Sequence, residues 1–132
     1  MLPNRYKGDR TYGTAIYFLL TPDTFSALHR LKTDEVYHFY LGDPVEMLQL
    51  LPSGSARVIK IGNEIKSGMH LQVVVSRGMW QGSRFIRGEE YALLGTTVAP
   101  GFEFVDFEIG QRDKLLQSYP RFRDLIVALT RD

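Results

Sequence analysis

The chain has 132 residues, of which 44% are hydrophobic and 12% aromatic, which is enough to build a folded core and argues against a disordered chain. Lys and Arg number 16 against 15 Asp and Glu, and the formal net charge is +1, whereas a dedicated nucleic-acid binder usually carries a basic excess. Cysteine is absent, which excludes disulfides and thiolate metal sites.

The sequence also carries no signal for a membrane or for export. No apolar run approaches the roughly 18 residues of a membrane-spanning helix. The first ten residues, MLPNRYKGDR, are polar and lack the apolar stretch of a secretory signal. We therefore expect a cytoplasmic protein that folds as one domain over residues 1–132, with neither a membrane nor a nucleic acid as a partner.

Short apolar runs separated by turn residues fill most of the chain. Gly, Pro, Asp and Ser interrupt these runs about every ten residues, a spacing typical of an antiparallel sandwich or barrel. The predicted strands, in chain order, are Ala15–Leu20, Glu35–Leu41, Val45–Leu51, Ala56–Ile61, Leu71–Val75, Trp80–Ile86, Tyr91–Val98 and Phe102–Glu108.

The end of the chain has a helical period instead. Arg112–Tyr119 and Pro120–Thr130 are predicted as helices, and proline suits a first helical position. One face of the second helix carries the apolar residues Phe122, Leu125, Ile126 and Leu129. We expect a helical cover over about residues 112–130 that protects a sheet edge or a barrel face.

The residues between 26 and 42 predict a polar site. Residues two apart in a strand share a face, so His29 and Leu31 are expected to point the same way. If the strand that begins at Glu35 lies antiparallel beside them, then Glu35, Tyr37 and Phe39 share that interior face. An imidazole and a carboxylate would then meet inside a barrel, among aromatic rings.

This spacing resembles the first cupin motif, in which two histidines one residue apart precede a glutamate, and a glycine follows seven residues later. His29, Glu35 and Gly42 stand at three of these positions, and Leu31 occupies the position of the second histidine. The resemblance implies an all-β cupin fold, an RmlC-like jelly-roll barrel of about eight to ten strands with C-terminal helices.

The second cupin motif is altered. Ser76-Arg77-Gly78 replaces its Pro-x-Gly turn, and Gln81 stands where its histidine would be. The chain is similar to one subgroup in particular, the DUF985 or cupin-5 family. That resemblance rests on Thr14–Leu20, His29-Arg30, Asp34–Tyr40, Gly42–Pro44, Trp80-Gln81, Val98–Phe102, Phe104, Asp106-Phe107 and Tyr119-Pro120.

The resemblance raises the question of a metal, because cupin metal sites normally use three histidines and a glutamate. Here leucine and glutamine replace two of those ligands, and an amide oxygen is a weak ligand for Fe, Mn, Ni or Zn. We expect no metal cofactor. If a divalent metal binds, its ligands are His29, Glu35 and Gln81.

RmlC-like epimerases use a metal-free pocket with a histidine base and a tyrosine acid, and the resemblance extends this chemistry to three residues. His29 would be the base, oriented by Glu35, and Tyr37 the acid, while each member of the His29–Glu35 pair would favour the charged form of the other. Gln81, Phe39 and Gln72 would complete the ligand-binding pocket. The competing interpretation is a buried polar pair that only orders the core.

The function expected from these features is the binding of a small polar metabolite, such as a sugar, a nucleotide-sugar or an organic acid, in the barrel interior. Isomerase or epimerase activity without a metal is the enzymatic form of this hypothesis. The alternatives are a metal-dependent oxygenase or lyase, and a non-catalytic dimeric module with a filled barrel. We also expect a homodimer, since cupins commonly pair through a sheet edge.

Overall fold

The computed structural model describes residues 3–6, 8–88 and 90–131, and two antiparallel sheets make up most of this part of the chain. The strands are β1 (Thr14–Leu20), β2 (Phe25–Arg30), β3 (Asp34–Gly42), β4 (Val45–Leu50), β5 (Ala56–Ile61), β6 (Gln72–Val75), β7 (Trp80–Phe85), β8 (Ala92–Ala99) and β9 (Glu108–Ile109). One sheet has the order β1-β8-β3-β6 and the other the order β5-β4-β7-β2-β9. The predicted all-β jelly roll is confirmed.

The space between the two sheets holds the first of two apolar cores. Alternation along β3 shows how the sequence builds it, because Glu35, Tyr37 and Phe39 are buried while Val36 and His38 are only half-buried. The other sheet contributes β-branched and long apolar side chains to the same space. The buried members of this core are Leu20, Tyr37, Phe39, Val45, Met47, Ile61, Val73, Val75, Ala92 and Leu94.

The second core lies on the outer face of the five-stranded sheet, under the C-terminal helices. The helices are α1 (Arg112–Ser118) and α2 (Arg123–Ala128), with a short 3-10 helix (Pro120–Phe122) between them. Their apolar faces pack on the sheet in a core of Leu28, Leu48, Leu50, Leu115, Tyr119, Ile126 and Leu129. The structure thus places the predicted helical cover over a sheet face. No helix in the described part of the chain is long and apolar enough to cross a membrane.

Two sequence-based boundaries are wrong. Residues 102–108 were expected to form a strand, but Phe104–Asp106 is a 3-10 helix and only Glu108–Ile109 pairs as β9. The reason is the carboxylate of Asp106, which is buried in an ion pair with Arg10 instead of alternating along a sheet. The strand that carries His29 was also expected to include Leu31, but β2 ends at Arg30.

A test of the fold uses the glycine at the end of β3. Gly42 has φ +95°, and a Cβ at this position would collide with the backbone carbonyl oxygen of Tyr91. Gly54 has φ +91° but open space around it. We predict that Gly54→Ala lowers the free energy of unfolding by about 1 kcal/mol, through the backbone alone, and that Gly42→Ala lowers it by about 3 kcal/mol. Urea unfolding of both variants measures this, and equal losses would contradict it.

Candidate active site

His29 and Glu35 lie on different sheets and face each other across the interior. The sequence had suggested that their strands lie side by side, and this expectation is wrong. β2 pairs with β7 and β9 in the five-stranded sheet, whereas β3 lies between β8 and β6 in the four-stranded sheet. The short connection from Arg30 to Asp34 crosses from one sheet to the other, so the imidazole and the carboxyl group still converge.

Both side chains line one cavity of about 320 Å³ that opens beside the edge strand β1. Tyr37, the predicted acid, lines it too. The remaining wall comes from Ile16, Phe18, Ser26, Ala27, Thr96, Phe107, Ile109 and Arg131. The predicted catalytic trio therefore shares a pocket that is mostly apolar, with a few polar groups, which is the usual composition of a small-molecule site.

The tautomer of His29 follows from its hydrogen bond. Its Nδ1 lies 2.7 Å from the backbone carbonyl oxygen of Ala27, and a carbonyl can only accept, so Nδ1 carries the hydrogen. In the neutral ring the lone pair is then on Nε2, which has no hydrogen-bond partner among the described residues. The ring of Phe107 stacks on the imidazole at 5.2 Å between centroids, with 25° between the planes, and holds its orientation.

Glu35 is buried and is held by Gln81, not by the histidine. The amide Nε2 of Gln81 donates a 2.6 Å hydrogen bond to Oε1 of Glu35. Burial raises the pKa of Glu35 above its ordinary value, and this outweighs the hydrogen bond from Gln81 and the nearby charge of His29, which both lower it. His29 thus favours the charged form of Glu35, as expected, but burial is the larger effect and leaves the pKa of Glu35 raised.

Tyr37 is a protonated donor in the same wall. Its ring is buried and packs edge-on against Phe18 at 6.1 Å between centroids. Burial raises the pKa of Tyr37 well above its ordinary value, and the neighbouring carboxylate of Glu35 raises it further. The hydroxyl therefore keeps its hydrogen at neutral pH.

Three predicted ligand-binding residues have different positions from those expected. Gln81 does not line the cavity and instead bonds to Glu35 from β7. Phe39 follows Tyr37 on the inward face of β3, but it is buried in the apolar core and does not line the cavity. Gln72 is wrong as a pocket residue: Val73 and Val75 are the inward residues of β6, so alternation places Gln72 on the exposed outer face.

Two buried oxygen atoms near the site lack partners. Gln81 Oε1 and Ser83 Oγ, both on β7, have no hydrogen-bond partner in the described part of the protein. Gln49 on the neighbouring strand is satisfied, because Oε1 accepts from Arg57 at 3.0 Å and Nε2 donates to the carbonyl of Val74 at 3.4 Å. Unsatisfied buried polar atoms are rare in folded proteins and are most often paired by water or a ligand.

Sequence reasoning missed several residues of the cavity wall. Strand parity along β8 identifies Thr96 as an inward residue, and it lies opposite Tyr37. Strand alternation could not identify Phe107 and Arg131, because neither residue lies in a strand. They come from an irregular segment and from the residues that follow α2, and tertiary packing alone brings these two segments to the cavity.

The donor set does not fit a divalent metal. No group of three or more His, Asp or Glu side chains with metal-binding spacing occurs among residues 3–6, 8–88 and 90–131. Gln81 turns its amide nitrogen, which is not a metal ligand, towards Glu35, and Leu31 is buried with no donor atom to offer. One imidazole and one carboxyl group remain, and two such ligands are too few to hold a divalent transition metal tightly.

Comparison with known proteins establishes the family. The family model described as "Cupin superfamily (DUF985)" matches residues 2–110. The chain belongs to this family. It is 30% identical over 100 residues to the uncharacterized protein YML079W of Saccharomyces cerevisiae, a match that covers 74% of the chain and only 50% of the yeast protein.

Solved structures agree with this assignment. Protein SO0799 from Shewanella oneidensis has 31% identity and a TM-score of 0.89, over 96% of this chain and 79% of that one. A dTDP sugar isomerase from Desulfovibrio desulfuricans has 13% identity and a TM-score of 0.66, over 86% of this chain and 73% of its own. At that identity the similarity shows the cupin fold alone.

The raised pKa of Glu35 predicts how stability depends on pH. The folded state binds this proton more tightly than the unfolded state, so the stabilising contribution is present below the ordinary pKa of 4.5 and is lost as the pH rises through the higher folded value. Over that interval we expect the free energy of unfolding of the wild type to fall, relative to Glu35→Gln, by up to about 1.4 kcal/mol per pH unit.

Urea unfolding in a pH series from about 4 to about 8 measures this difference. Glu90→Gln, at an exposed position, is the matched control for the loss of one carboxyl group. A difference between the wild type and Glu35→Gln that stays constant across the series would contradict the assignment.

Proposed function

We propose that the protein binds a small polar metabolite in the His29–Glu35 cavity and acts on it as a metal-independent isomerase or epimerase. The observation that carries the proposal is the hydrogen bond from His29 Nδ1 to Ala27, because it leaves a lone pair on Nε2 in a cavity that also presents a phenol. A base and an acid in one cavity are the minimum that proton transfer requires.

The chemistry that fits this arrangement is a proton shift next to a carbonyl group. Nε2 of His29 accepts a proton from a carbon beside the carbonyl, and the carbonyl oxygen takes up the negative charge of the enolate. Tyr37 donates a hydrogen bond to that oxygen. In an isomerisation the proton on Nε2 is delivered to the former carbonyl carbon, while the hydroxyl proton of the neighbouring carbon moves to the first oxygen and leaves a new carbonyl group. In an epimerisation the hydroxyl of Tyr37 lies on the face opposite His29 and gives its proton to the same carbon, and both groups then exchange protons with solvent.

Glu35 supports this chemistry by its position and not as the orienting partner of the histidine. Its carboxyl group lines the cavity while Gln81 holds it from behind. Because its pKa is raised, the carboxyl group keeps its proton to a higher pH than an exposed glutamate does. In that form it donates a hydrogen bond to a sugar hydroxyl or a carbonyl group.

The open interior supports a binding function over a purely structural one. A non-catalytic module predicts a filled barrel, whereas the space between the sheets opens into a cavity of about 320 Å³ beside the buried polar groups. The homodimer and the cytoplasmic location expected from the sequence remain predictions. Sedimentation equilibrium at micromolar concentration tests the dimer, and a monomer would contradict it.

Binding is tested by a thermal-shift screen of the purified protein with sugars, nucleotide-sugars and organic acids. A compound that binds the folded state raises the melting temperature by mass action. We expect His29→Ala and Glu35→Gln to abolish the shift that the best compound produces. His38→Ala is the matched control, because His38 lies on the outer face and contacts Thr97 at 3.1 Å. If the His29 and Glu35 variants keep the full shift, the cavity is not the binding site.

Proton transfer is tested separately from binding. In D2O the wild type should introduce deuterium at one carbon of the bound compound, as followed by NMR, because the base exchanges its proton with solvent. His29→Gln, which removes the basic nitrogen, should lower the rate of deuterium incorporation by about 100-fold or more. Incorporation at the wild-type rate in His29→Gln would exclude this residue as the base.

A further inference from the structure

A second and larger cleft lies next to the His29 cavity, and Phe107 lines both. Its volume is about 940 Å³. The described residues around it include five basic side chains, Arg5, Arg10, Arg30, Lys32 and Arg77, but only two carboxylates. The formal charge of the whole chain is +1, so positive charge is concentrated here.

The two carboxylates of the cleft are already paired. Asp106 accepts from Arg10 at 2.6 Å, and the two side chains are only 7% and 3% exposed. Glu108 accepts from Arg30 at 2.7 Å, and the guanidinium of Arg30 also lies over Trp80 at 4.4 Å from the ring centroid. These two arginines therefore form part of the cleft wall and fix the segment that carries Asp106 and Glu108.

The other three cations have no carboxylate partner within the described part of the chain. The guanidinium of Arg5 lies over the ring of Tyr6, 4.9 Å from its centroid. Arg77 is engaged only through its backbone N–H, which donates to Asp34 at 2.8 Å. The backbone carbonyl of Lys32 accepts from the hydroxyl of Tyr6 at 3.1 Å, which ties the N-terminal segment to the β2–β3 connection.

We propose that this cleft is a binding site for a phosphate-bearing ligand with a diphosphate group. Three unpaired cations around one cleft suit a multiply charged anion, since a single carboxylate would leave two of them without compensation. Guanidinium groups match phosphate oxygens with paired hydrogen bonds, and lysine adds a point charge. The rings of Tyr6 and Phe107 offer an apolar surface to the organic group that is attached to the diphosphate. The site is separate from the His29 cavity and does not depend on its proposed function.

Isothermal titration with sodium pyrophosphate at constant ionic strength tests the site. The wild type should bind one pyrophosphate saturably, and Lys32→Gln/Arg77→Gln should weaken the affinity by about tenfold or more. Both residues are exposed, so circular dichroism should show an unchanged fold. Arg121→Gln/Arg123→Gln is the matched control, because it removes the same charge from exposed positions outside the cleft.

Three results would overturn the proposal. The first is the absence of saturable binding by the wild type. The second is an equal loss of affinity in the control variant, which would show a general effect of net charge. The third is a loss in Glu35→Gln, which would place the anion in the His29 cavity. Titration with uridine diphosphate then identifies the source of the diphosphate: tighter binding than pyrophosphate indicates a nucleotide, and equal binding a free diphosphate.

Discussion

The hydrogen bond between Glu35 and Gln81 is the contact on which the site depends. Glu35 belongs to the four-stranded sheet and Gln81 to the five-stranded sheet, so this 2.6 Å bond crosses the interior and joins them. A buried polar group that loses its partner costs about 1–3 kcal/mol, which means that each side chain requires the other.

The position of His29 depends on a different part of the molecule. Leu28 points into the core beneath the helices, and alternation along β2 turns the next residue towards the cavity. The backbone of Leu28 is held on both sides, since its N–H donates to the carbonyl of Leu129 at 2.8 Å and its carbonyl accepts from Gly110 at 2.8 Å. The helical cover therefore fixes the strand that carries the proposed base, although no residue of α1 or α2 lines the His29 cavity.

The features that sequence could predict are those governed by strand alternation. The alternation along β3 predicts that Glu35 and Tyr37 point inward, as observed, and the alternation along β6 places Gln72 on the outer face. Alternation says nothing about which strands pair, and β2 and β3 were consequently assigned to one sheet. It also fails where side-chain contacts override the extended backbone, as the buried carboxylate of Asp106 does before β9.

The segment from Phe104 to Ile109 connects the two cavities physically. Its path is fixed by the ion pairs of Asp106 with Arg10 and of Glu108 with Arg30. Because the first of these pairs is buried, breaking it would leave an uncompensated charge, so the segment has little freedom to move. Phe107 is held between the two pairs, where it stacks on His29 and also lines the basic cleft. The ring that stacks on the imidazole is therefore also part of the wall of the basic cleft, and the ion pairs on either side of it fix its position in both.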